Sequence, residues 1–427
     1  MSVHEEFRKY ALEVSSKLRL KAAREPVRRE IENHLYDQYE ALLKSGMSES
    51  DAVKESIRQT GDSEALGISL DRIHRPKPDL MLISIIILLC FAGLYVRYFL
   101  SAACGSSINL AREITALIIG SAFMVTTCHL DFTMIGKRPY HLYFGILAHG
   151  VIASFSQHTV NGFGSFMPYI ACFMPLGIAG IMYAMRGKKL KGLFASVLAL
   201  FACLYLCLSS NNMTWSLIVL LSGLISFLVC ANRDWFSFGK KKTFLFAACL
   251  TATGVLLFIF RLLSSGYRLE RFRQALFPTE QGGVTNLIRS MISESKWIGQ
   301  GSAQIYRDMS FWGSDYVLSS LAHSAGILFS ALLVIIILFF SVRLMLRALK
   351  EKSTLASLVA LNVSLVLLFQ SLFYIVSNLG VPIFSTVSLP LISSGNTFTV
   401  INMTLTGIAL SVFRTGKYQS DPPPIKA

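Results

Sequence analysis

Residues 80–100 have the sequence LMLISIIILLCFAGLYVRYFL. An α-helix needs about 20 mainly apolar residues to cross the hydrocarbon core of a bilayer, and this stretch has that length and composition. The whole chain shares its character, because its 427 residues are 53% hydrophobic and only 15% charged, with a mean hydropathy of +0.53. Soluble domains have a larger polar share. The sequence therefore predicts an all-α, polytopic membrane protein. About ten transmembrane helices are expected, at residues 80–100, 113–130, 141–157, 166–185, 192–209, 214–231, 243–263, 320–342, 355–377 and 396–413.

Charge is distributed unevenly along the chain. Residues 1–79 contain 14 Lys/Arg and 15 Asp/Glu, whereas the remaining residues contain 26 Lys/Arg and 10 Asp/Glu. In this second part the positive charge is concentrated in alternate loops, and a similar basic excess marks the cytoplasmic loops of membrane proteins. Both termini are therefore predicted to be cytoplasmic, and nucleic-acid binding is disfavoured. The basic loops lie at residues 137–138, 186–191, 233–242, 343–352 and 414–417.

Residues 1–79 are predicted to form a soluble, cytoplasmic helical domain in front of the first span. Gly46 is placed to end one helix, and Ser48 with Asp51 resembles a capping box that opens the next. The segment from Glu30 to Asp37 resembles the short helical prefix domain that precedes some bacterial permeases. The domain is interpreted as a regulatory or docking module, or as a folded spacer.

The cysteines and the C-terminal residues indicate no further functional site. The eight cysteines are scattered, without a CxxC or Cys/His cluster, so neither a metal site nor a disulfide framework is indicated. At the C-terminus, residues 416–427 include three consecutive prolines and are predicted to form a disordered tail after the membrane domain at 80–415.

The predicted topology places one long polar segment, residues 264–320, on the outer face of the membrane. A second segment, residues 378–396, contains Pro382 and Pro390 and cannot continue as a helix. Irregular backbone at membrane depth is tolerated where it is buried in protein or lines a cavity. Together the two segments predict a site at the outer surface, open to lipid-borne substrates. The alternative is an ordinary loop followed by a hairpin that proline interrupts.

An ordered set of short motifs lies in and around these two segments: Tyr267-Arg268-Leu-Glu-Arg271, Leu276-Phe-Pro278, Gly299-Gln-Gly301, Ser314-Asp315-Tyr316, Ala325-Gly326 and Ser388-Leu-Pro-Leu-Ile-Ser-Ser-Gly395. The set resembles the SEDS family, the shape, elongation, division and sporulation proteins RodA, FtsW and SpoVE, whose pattern is YRxxR…P, GxG, TDF and LPFISYGG. The ten spans and the long outer loop also match, and the resemblance covers about residues 80–415. Further matching positions are Arg112, Asn161-Gly162 and Gln370.

The resemblance implies a glycosyltransferase of the bacterial cytoplasmic membrane. Such an enzyme polymerises lipid II into peptidoglycan strands for cell shape, division or sporulation, beside a class B penicillin-binding transpeptidase. Asp315 stands at the TDF position, where the eighth apolar helix is expected to begin, and is the implied general base for the acceptor sugar's 4-hydroxyl. The residues implied to neutralise the diphosphate, with or without a divalent cation, are Arg112, Arg268 and Arg271. Substrate-binding roles are also implied for Gln370, Ser393 and Gly395.

Each of these assignments has a structural alternative. Asp315 follows Ser314, and both residue types are favoured at a helix N-cap, where they also complement the helix dipole. The arginines have an alternative as interfacial anchors or as partners of loop carboxylates. His323, about two helical turns after Asp315, stands where the family has a carboxylate, although packing is the usual role of a polar residue within a span.

The chain departs from the family pattern at positions that are charged in the family. The acid and the lysine of the QPSE…K motif fall near Met174–Gly177 and Gly180, and the Asp of QPDLG is lost near Ser210–Thr214. Ionisable residues inside a membrane usually mark function, so these losses matter. Two alternatives stay open. One is a catalytically silent relative that binds lipid II or a transpeptidase; the other is a transporter, which the scarcity of charged residues in the spans disfavours.

Overall fold

The structure is a computed structural model. It describes residues 3–74, 79–104, 109–155, 159–160, 163–164, 166–264, 266, 269–270, 272–273, 277, 283–302, 313–381, 387–419 and 421. These residues are helical apart from loops and two short antiparallel strands, β1 (Thr159–Val160) and β2 (Phe163–Gly164), so the predicted all-α class is confirmed. Contacts divide the chain into a prefix unit, Met1–Pro78 with Arg414–Ser420, and a membrane unit, Asp79–Phe413 with Asp421–Ala427.

The prefix unit packs four helices around a small apolar core. The predicted boundary between its second and third helices is present, because Gly46 adopts a φ of +91° and the Ser48 hydroxyl accepts a hydrogen bond from the Asp51 amide at 3.3 Å. The helices are α1 (Val3–Ser16), α2 (Lys21–Lys44), α3 (Glu49–Thr60) and α4 (Ser63–His74). The core side chains include Phe7, Ala11, Val14, Leu18 and Leu35.

Part of the segment predicted to be disordered belongs to the prefix unit as ordered structure. Residues Gly416–Tyr418 form a 3-10 helix. The Tyr418 hydroxyl donates to the carbonyl oxygen of His74 at 2.6 Å, and the two rings lie 5.7 Å apart between centroids. An aromatic side chain with a hydrogen-bonded hydroxyl gives these residues the contacts that order requires. Residues 420 and 422–427 lie outside the described part of the chain.

The membrane unit contains nine helical segments, among the described residues, that are long and apolar enough to cross a membrane. A short kink at 172–173 joins α9 and α10 into one of these segments. The helices of the unit are α5 (Leu80–Cys104), α6 (Leu110–His129), α7 (Thr133–Lys137), α8 (Pro139–Phe155), α9 (Met167–Ala171), α10 (Met174–Ala184), α11 (Lys189–Ser209), α12 (Met213–Asn232), α13 (Lys240–Leu263), α14 (Gly283–Ser293), α15 (Val317–Ser324), α16 (Ile327–Leu349), α17 (Thr354–Asn378) and α18 (Asn396–Thr415).

The remaining predicted run, 141–157, corresponds to α8. Its 17 residues are about 26 Å long at the rise of an α-helix, slightly less than the roughly 30 Å of a bilayer core. The helix packs against α10 and α11, and Tyr143 donates to the Ala199 carbonyl oxygen at 2.9 Å. Apart from its length, α8 therefore resembles the other spans.

Helices α10, α12 and α17 form the centre of the membrane unit. Every residue of α10 from Met174 to Met182 is buried, and α17 is buried without interruption from Thr354 to Leu367. By contrast, α5, α6 and α13 present large apolar side chains outwards, as Phe91, Ile118 and Phe260 are each about two-thirds exposed. An apolar outer surface of this kind suits contact with lipid chains rather than with water.

The eighth predicted run, 320–342, is two helices rather than one. α15 ends at Ser324, and α16 begins after Gly326, which has a φ of +117°. A Cβ on Gly326 would lie 2.6 Å from the carbonyl oxygen of Trp297, so the break requires glycine. The prediction that Asp315 lies at the beginning of the eighth span is therefore wrong. Asp315 precedes a short, separate helix, all eight residues of which are buried.

Gly407 marks a close crossing between α6 and α18 that can be tested. A Cβ at this position would collide with the Thr127 hydroxyl and the Met124 carbonyl oxygen. We expect Gly407→Val to destabilise the protein by about 1–3 kcal/mol, the usual cost of overpacking a tight interior. Thermal unfolding of the purified protein in detergent measures this effect. Gly145→Val is the matched control, because no atom lies within 4 Å of that Cβ position. Equal losses in the two variants would contradict the crossing.

Candidate functional site

Three buried polar side chains form a stripe along the last part of α17. Gln370, Tyr374 and Asn378 are four residues apart, so they share one face of the helix. Their relative exposures are 0%, 1% and 2%. Buried polar groups are costly unless they are hydrogen-bonded, so this stripe must find partners on the elements that pack against it.

Tyr374 and Asn378 hold the segment that contains Asp315. The Tyr374 hydroxyl donates to the Ser314 carbonyl oxygen at 3.0 Å and accepts from the Val317 amide at 2.9 Å. The Asn378 amide group donates to the Asp315 carbonyl oxygen at 3.0 Å. These bonds fix the backbone on both sides of the Asp315 side chain, which is half-buried.

Asn378 also caps the helix that follows Asp315. Its Oδ1 atom accepts from the amides of Leu318 and Ser319 at 3.1 and 3.2 Å. With the Val317 amide bound to Tyr374, the first N–H groups of α15 are satisfied by side chains from α17. The N-cap residue, Tyr316, makes no side-chain capping bond. The first amides of α15 are therefore bound by side chains of α17, and Asp315 lies one residue before the N-cap position.

Gln370 and Ser393 shape the segment between α17 and α18. The Gln370 amide nitrogen donates to the carbonyl oxygen and to the hydroxyl of Ser388, both at 2.9 Å. The Ser393 hydroxyl accepts from the Leu389 amide at 2.8 Å. Gly395, with a φ of +153°, leads the chain into α18. The structure thus gives these three predicted substrate-binding residues roles in building the loop.

A backbone hydrogen bond joins the two motif segments. The Ser394 amide donates to the Gly313 carbonyl oxygen at 2.9 Å. The Ser314-Asp315-Tyr316 motif and the Leu389–Gly395 motif, which are about 75 residues apart in the sequence, therefore meet at one place. The prediction that they belong to the same site is supported by this contact.

Arg112 lies on an open cleft beside the second of these segments. The cleft has a volume of about 550 Å³ and runs between α6 and the beginning of α18, with Asn396 and Thr397 across from Arg112. Asn109 caps α6 by accepting from the Arg112 amide at 3.1 Å, and the Arg112 side chain is exposed. The other lining is mainly apolar, so the cleft could accommodate a lipid chain with its charged end near Arg112.

The Gly299-Gln-Gly301 motif packs against the junction between α15 and α16. The amides of Gly299 and Gly301 donate to the carbonyl oxygens of Ala325 and His323, both at 2.8 Å. A Cβ on Gly301 would lie 2.6 Å from the His323 ring. Glycine is needed here because the two backbones approach closely. The motif and His323 thus form part of the support for α15.

The sequence interpretation missed a buried ion pair between α5 and α6. Arg97 Nη1 lies 2.5 Å from Glu113 Oε2, and Arg97 is 1% exposed. Arg97 Nε donates to the Gly93 carbonyl oxygen at 2.9 Å. α5 in turn touches the second motif segment, since a Cβ on Gly93 would lie 2.7 Å from the Leu391 carbonyl oxygen. An arginine within an apolar run was the available signal.

Several predicted features lie outside the described residues. Arg268 and Arg271, two of the three candidate diphosphate ligands, are among them, as are Asn161-Gly162 and Pro278. Within the residues that the structure does describe, no cluster of three or more His, Cys, Asp or Glu side chains could hold a metal ion. The divalent cation stays an expectation from the resemblance.

The sequence pattern of the family described as "Cell cycle protein" (FTSW_RODA_SPOVE) matches residues 79–418. The chain belongs to this family. It is thus a SEDS membrane protein with several membrane passes, as the motifs predicted. The family pattern begins only after α4, so the nature of the N-terminal helices stays a prediction.

One curated relative is the "Probable peptidoglycan glycosyltransferase FtsW" of Riesia pediculicola (strain USDA), which is 28% identical to the chain over 207 residues. The match covers 46% of this chain and 54% of the relative, so the chain spans about half the length of that relative. The SEDS protein described here is therefore a distant homologue of a peptidoglycan glycosyltransferase.

Solved structures share the fold. One is described as "Structural coordination of polymerization and crosslinking by a peptidoglycan synthase complex"; its chain gives a TM-score of 0.63 at 20% identity, over 79% of this chain and 98% of that one. The rod shape determining protein RodA of Thermus thermophilus gives 0.54 at 17% identity, over 80% and 98%. At these identities the similarity shows the fold alone.

The role of Asn378 in holding α15 can be measured directly. We expect Asn378→Ala to lower the free energy of unfolding by about 2 kcal/mol or more, because several buried donors lose their acceptor. Hydrogen exchange at the Leu318 and Ser319 amides should accelerate as well. Ser377→Ala is the control, since the adjacent Ser377 hydroxyl is buried without a hydrogen-bond partner. Unchanged exchange in Asn378→Ala would show that the cap is unimportant.

A double-mutant comparison tests the ion pair of Arg97 and Glu113. Arg97→Leu leaves a buried carboxylate without its partner and should cost about 3–5 kcal/mol of stability. Arg97→Leu combined with Glu113→Leu removes both charges and should recover most of that loss. Thermal unfolding in detergent measures both proteins. A double variant no more stable than the single one would argue against a coupled pair.

Proposed function

We propose that this SEDS protein is a membrane glycosyltransferase that polymerises lipid II, with Asp315 as its general base. The observation that carries the proposal is the environment of Asp315. Its backbone is fixed by Tyr374 and Asn378, and the N–H groups that a capping carboxylate would bind are taken by those same side chains. The backbone that carries the carboxylate is therefore held by α17, and the half-buried side chain of Asp315 lies beside the segment that contains Ser394.

The orientation of the chain supports an outer-face site. Basic residues cluster at the ends of the helices away from Asn378 and in the loops that join them, at residues 186–191, 233–242 and 343–352. The positive-inside rule assigns that face to the cytoplasm. The segments around Asp315 and Leu389–Gly395 then face outwards, where a lipid-linked disaccharide-peptide is available.

The cleft beside Arg112 supports the proposal that the substrate carries a lipid chain and a diphosphate. Its apolar lining suits an undecaprenyl chain, and the guanidinium of Arg112 suits the diphosphate. Arg268 and Arg271 are proposed to add positive charge from the outer loop, with or without a divalent cation. Neutralising the leaving diphosphate stabilises the charge that develops as the glycosidic bond forms.

The proposed chemistry needs one proton acceptor. Asp315 takes the proton from the acceptor sugar's 4-hydroxyl as that oxygen attacks the anomeric carbon of the donor. The bond between the anomeric carbon and the phosphate oxygen breaks, and the undecaprenyl diphosphate leaves with the electron pair. A class B penicillin-binding transpeptidase is the proposed partner, supported by the shared fold with a chain of a peptidoglycan synthase complex.

A second candidate function, a catalytically silent SEDS relative, is favoured by the interior of the fourth span. Where the family carries an acid and a lysine, this chain has Met174–Gly177 and Gly180, which are buried among apolar side chains. A Cβ on Gly177 would touch Ile146 at 3.1 Å, so the region has no room for a charged side chain and its water. Such a protein would bind lipid II or a transpeptidase without forming polymer.

Lipid II polymerisation by the purified full-length protein tests the proposal. We expect glycan chains from the wild type and a loss of at least about 100-fold in rate for Asp315→Asn, the usual range for removing a general base. Thermal unfolding of Asp315→Asn in the same detergent accompanies the assay, so that the loss of rate is measured on folded protein. Asp131→Asn, in the loop before α7, is the matched control and should keep full activity.

Two outcomes would separate the candidate functions. Polymer from Asp315→Asn at the wild-type rate removes Asp315 as the base. Binding of lipid II by a wild type that yields no polymer, alone or with a transpeptidase, identifies the silent relative.

A further inference from the structure

A second cavity of the membrane unit lies at the other end of α17 from Asp315. It has a volume of about 470 Å³ and is lined by the ends of α10 and α12 and the beginning of α17. α17 has 25 residues and is about 37 Å long, so this cavity is remote from the candidate glycosyltransferase site. It lies on the face that carries the basic loops.

The walls of this cavity are fixed by hydrogen bonds. Trp235 is 6% exposed, and its indole N–H donates to the carbonyl oxygens of Met182 and Tyr183, both at 3.2 Å. The Gly187 amide donates to the Trp235 carbonyl oxygen at 3.0 Å. Two loops are thereby joined into one frame, so the cavity is built in advance of any ligand.

Three cations line the cavity, and one of them has an unused donor. The Arg186 guanidinium lies over the Trp235 ring, 4.7 Å from its centroid, and its Nη1 atom is buried without a hydrogen-bond partner. Arg233 donates to the carbonyl oxygens of Glu351 and Lys352 at 2.9 and 3.2 Å. Lys352 is the third cation and is exposed. A buried N–H of a charged group without an acceptor is unfavourable, and an anion in the cavity would relieve it.

An acidic residue already occupies one anion position. The Asp421 carboxylate accepts from the Thr354 amide at 2.8 Å and from the Thr354 hydroxyl at 2.6 Å, and it also contacts the Ser353 hydroxyl at 3.3 Å. These donors form the N-terminus of α17, where negative charge is favoured. The cavity thus binds a carboxylate from the chain's own C-terminal segment.

We propose that this cavity binds a phosphate monoester, and that Asp421 occupies its anion position when no ligand is present. The other lining carboxylate, Asp234, is engaged by the Gly239 amide at 3.0 Å. With three cations and Asp234 in place, departure of Asp421 leaves two unbalanced positive charges. A phosphate monoester, which carries nearly two negative charges at neutral pH, matches that excess. The ligand is a lipid head group or a soluble phosphate, since both share this chemistry.

Thermal unfolding of the full-length protein in detergent, titrated with inorganic phosphate at constant ionic strength, tests the proposal. Phosphate should raise the unfolding temperature in a saturable way. Arg186→Gln should weaken the apparent affinity by about tenfold or more, because a charge-assisted donor is lost. Lys191→Gln is the control, because Lys191 is a basic residue in the first turn of α11 that does not line the cavity, and the affinity of this variant should equal that of the wild type.

The variant Asp421→Asn tests the competition separately. Removing the resident carboxylate should tighten phosphate binding by about threefold to tenfold, because the competent state becomes more populated. Weaker binding in Asp421→Asn would show that the carboxylate is part of the site rather than its competitor, and would overturn that half of the proposal. No saturable binding in the wild type, or equal affinity in Arg186→Gln, would overturn the whole of it.

Nanodiscs distinguish the two sources of phosphate. If phosphatidic acid in phosphatidylcholine nanodiscs weakens the response to soluble phosphate in the wild type but not in Arg186→Gln, the ligand is a lipid head group. If phosphatidic acid has no effect while soluble phosphate still binds, the ligand is soluble. Either result supports the site, and neither depends on lipid II polymerisation.

Discussion

The need to satisfy buried polar groups on α17 determines how the end of the membrane unit that contains Asp315 is built. Tyr374 and Asn378 lie where water is excluded, so their hydrogen bonds must be made within the protein. The backbone of residues 314–319 supplies the partners and receives its helix caps in return. One turn earlier on α17, the Gln370 amide group donates to the Ser388 carbonyl oxygen, which lies in the second motif segment. The two motif segments are therefore held against one helix, and the Ser394–Gly313 bond closes the arrangement.

The spans were predictable because their signal is local. A run of apolar residues of bilayer length specifies a helix whatever lies next to it, so α13 (Lys240–Leu263) begins only three residues before the predicted 243–263. The break between α15 and α16 was not predictable in this way. Ala325-Gly326 sits within an apolar run, and glycine is required there because the backbone approaches the carbonyl oxygen of Trp297, about 30 residues earlier in the chain. Hydropathy carries no information about such contacts.

The candidate site was predicted in part, because its motifs are local in the sequence whereas the contacts between them are not. Motif order in the sequence located Asp315 and the Leu389–Gly395 segment, and the structure brings these two together. Gln370 and Ser393, which the resemblance implies to be substrate-binding residues, make hydrogen bonds that build the loop, and their contact with substrate stays a prediction. Matching motifs shows which positions require a particular residue. It does not show whether that residue is required for binding and catalysis or for building the fold. Arg97 and Glu113 were missed because the hydropathy of a 20-residue run hides a single charge, and only the fold pairs them.

The balance of charge near the Asp315 end of the membrane unit limits how a diphosphate could be neutralised. The fourth span contributes no charge, since Met174–Met182 are buried without an ionisable side chain. Among the described arginines, Arg97 is the buried one near the Leu389–Gly395 segment, because it lies on α5, which contacts that segment at Gly93. The carboxylate of Glu113 cancels the charge of Arg97. A buried ion pair adds little stability compared with an apolar pair of similar volume, so stability does not account for it. Under the proposed function, the positive charge for the diphosphate is therefore expected from Arg112 in its cleft and from Arg268 and Arg271. The exposed side chain of Arg112 is solvated, and its charge is weakened by salt, unlike a charge in a dry interior. The proposed polymerase should accordingly bind its diphosphate more weakly, and with greater dependence on ionic strength, than a relative that keeps the fourth-span charges.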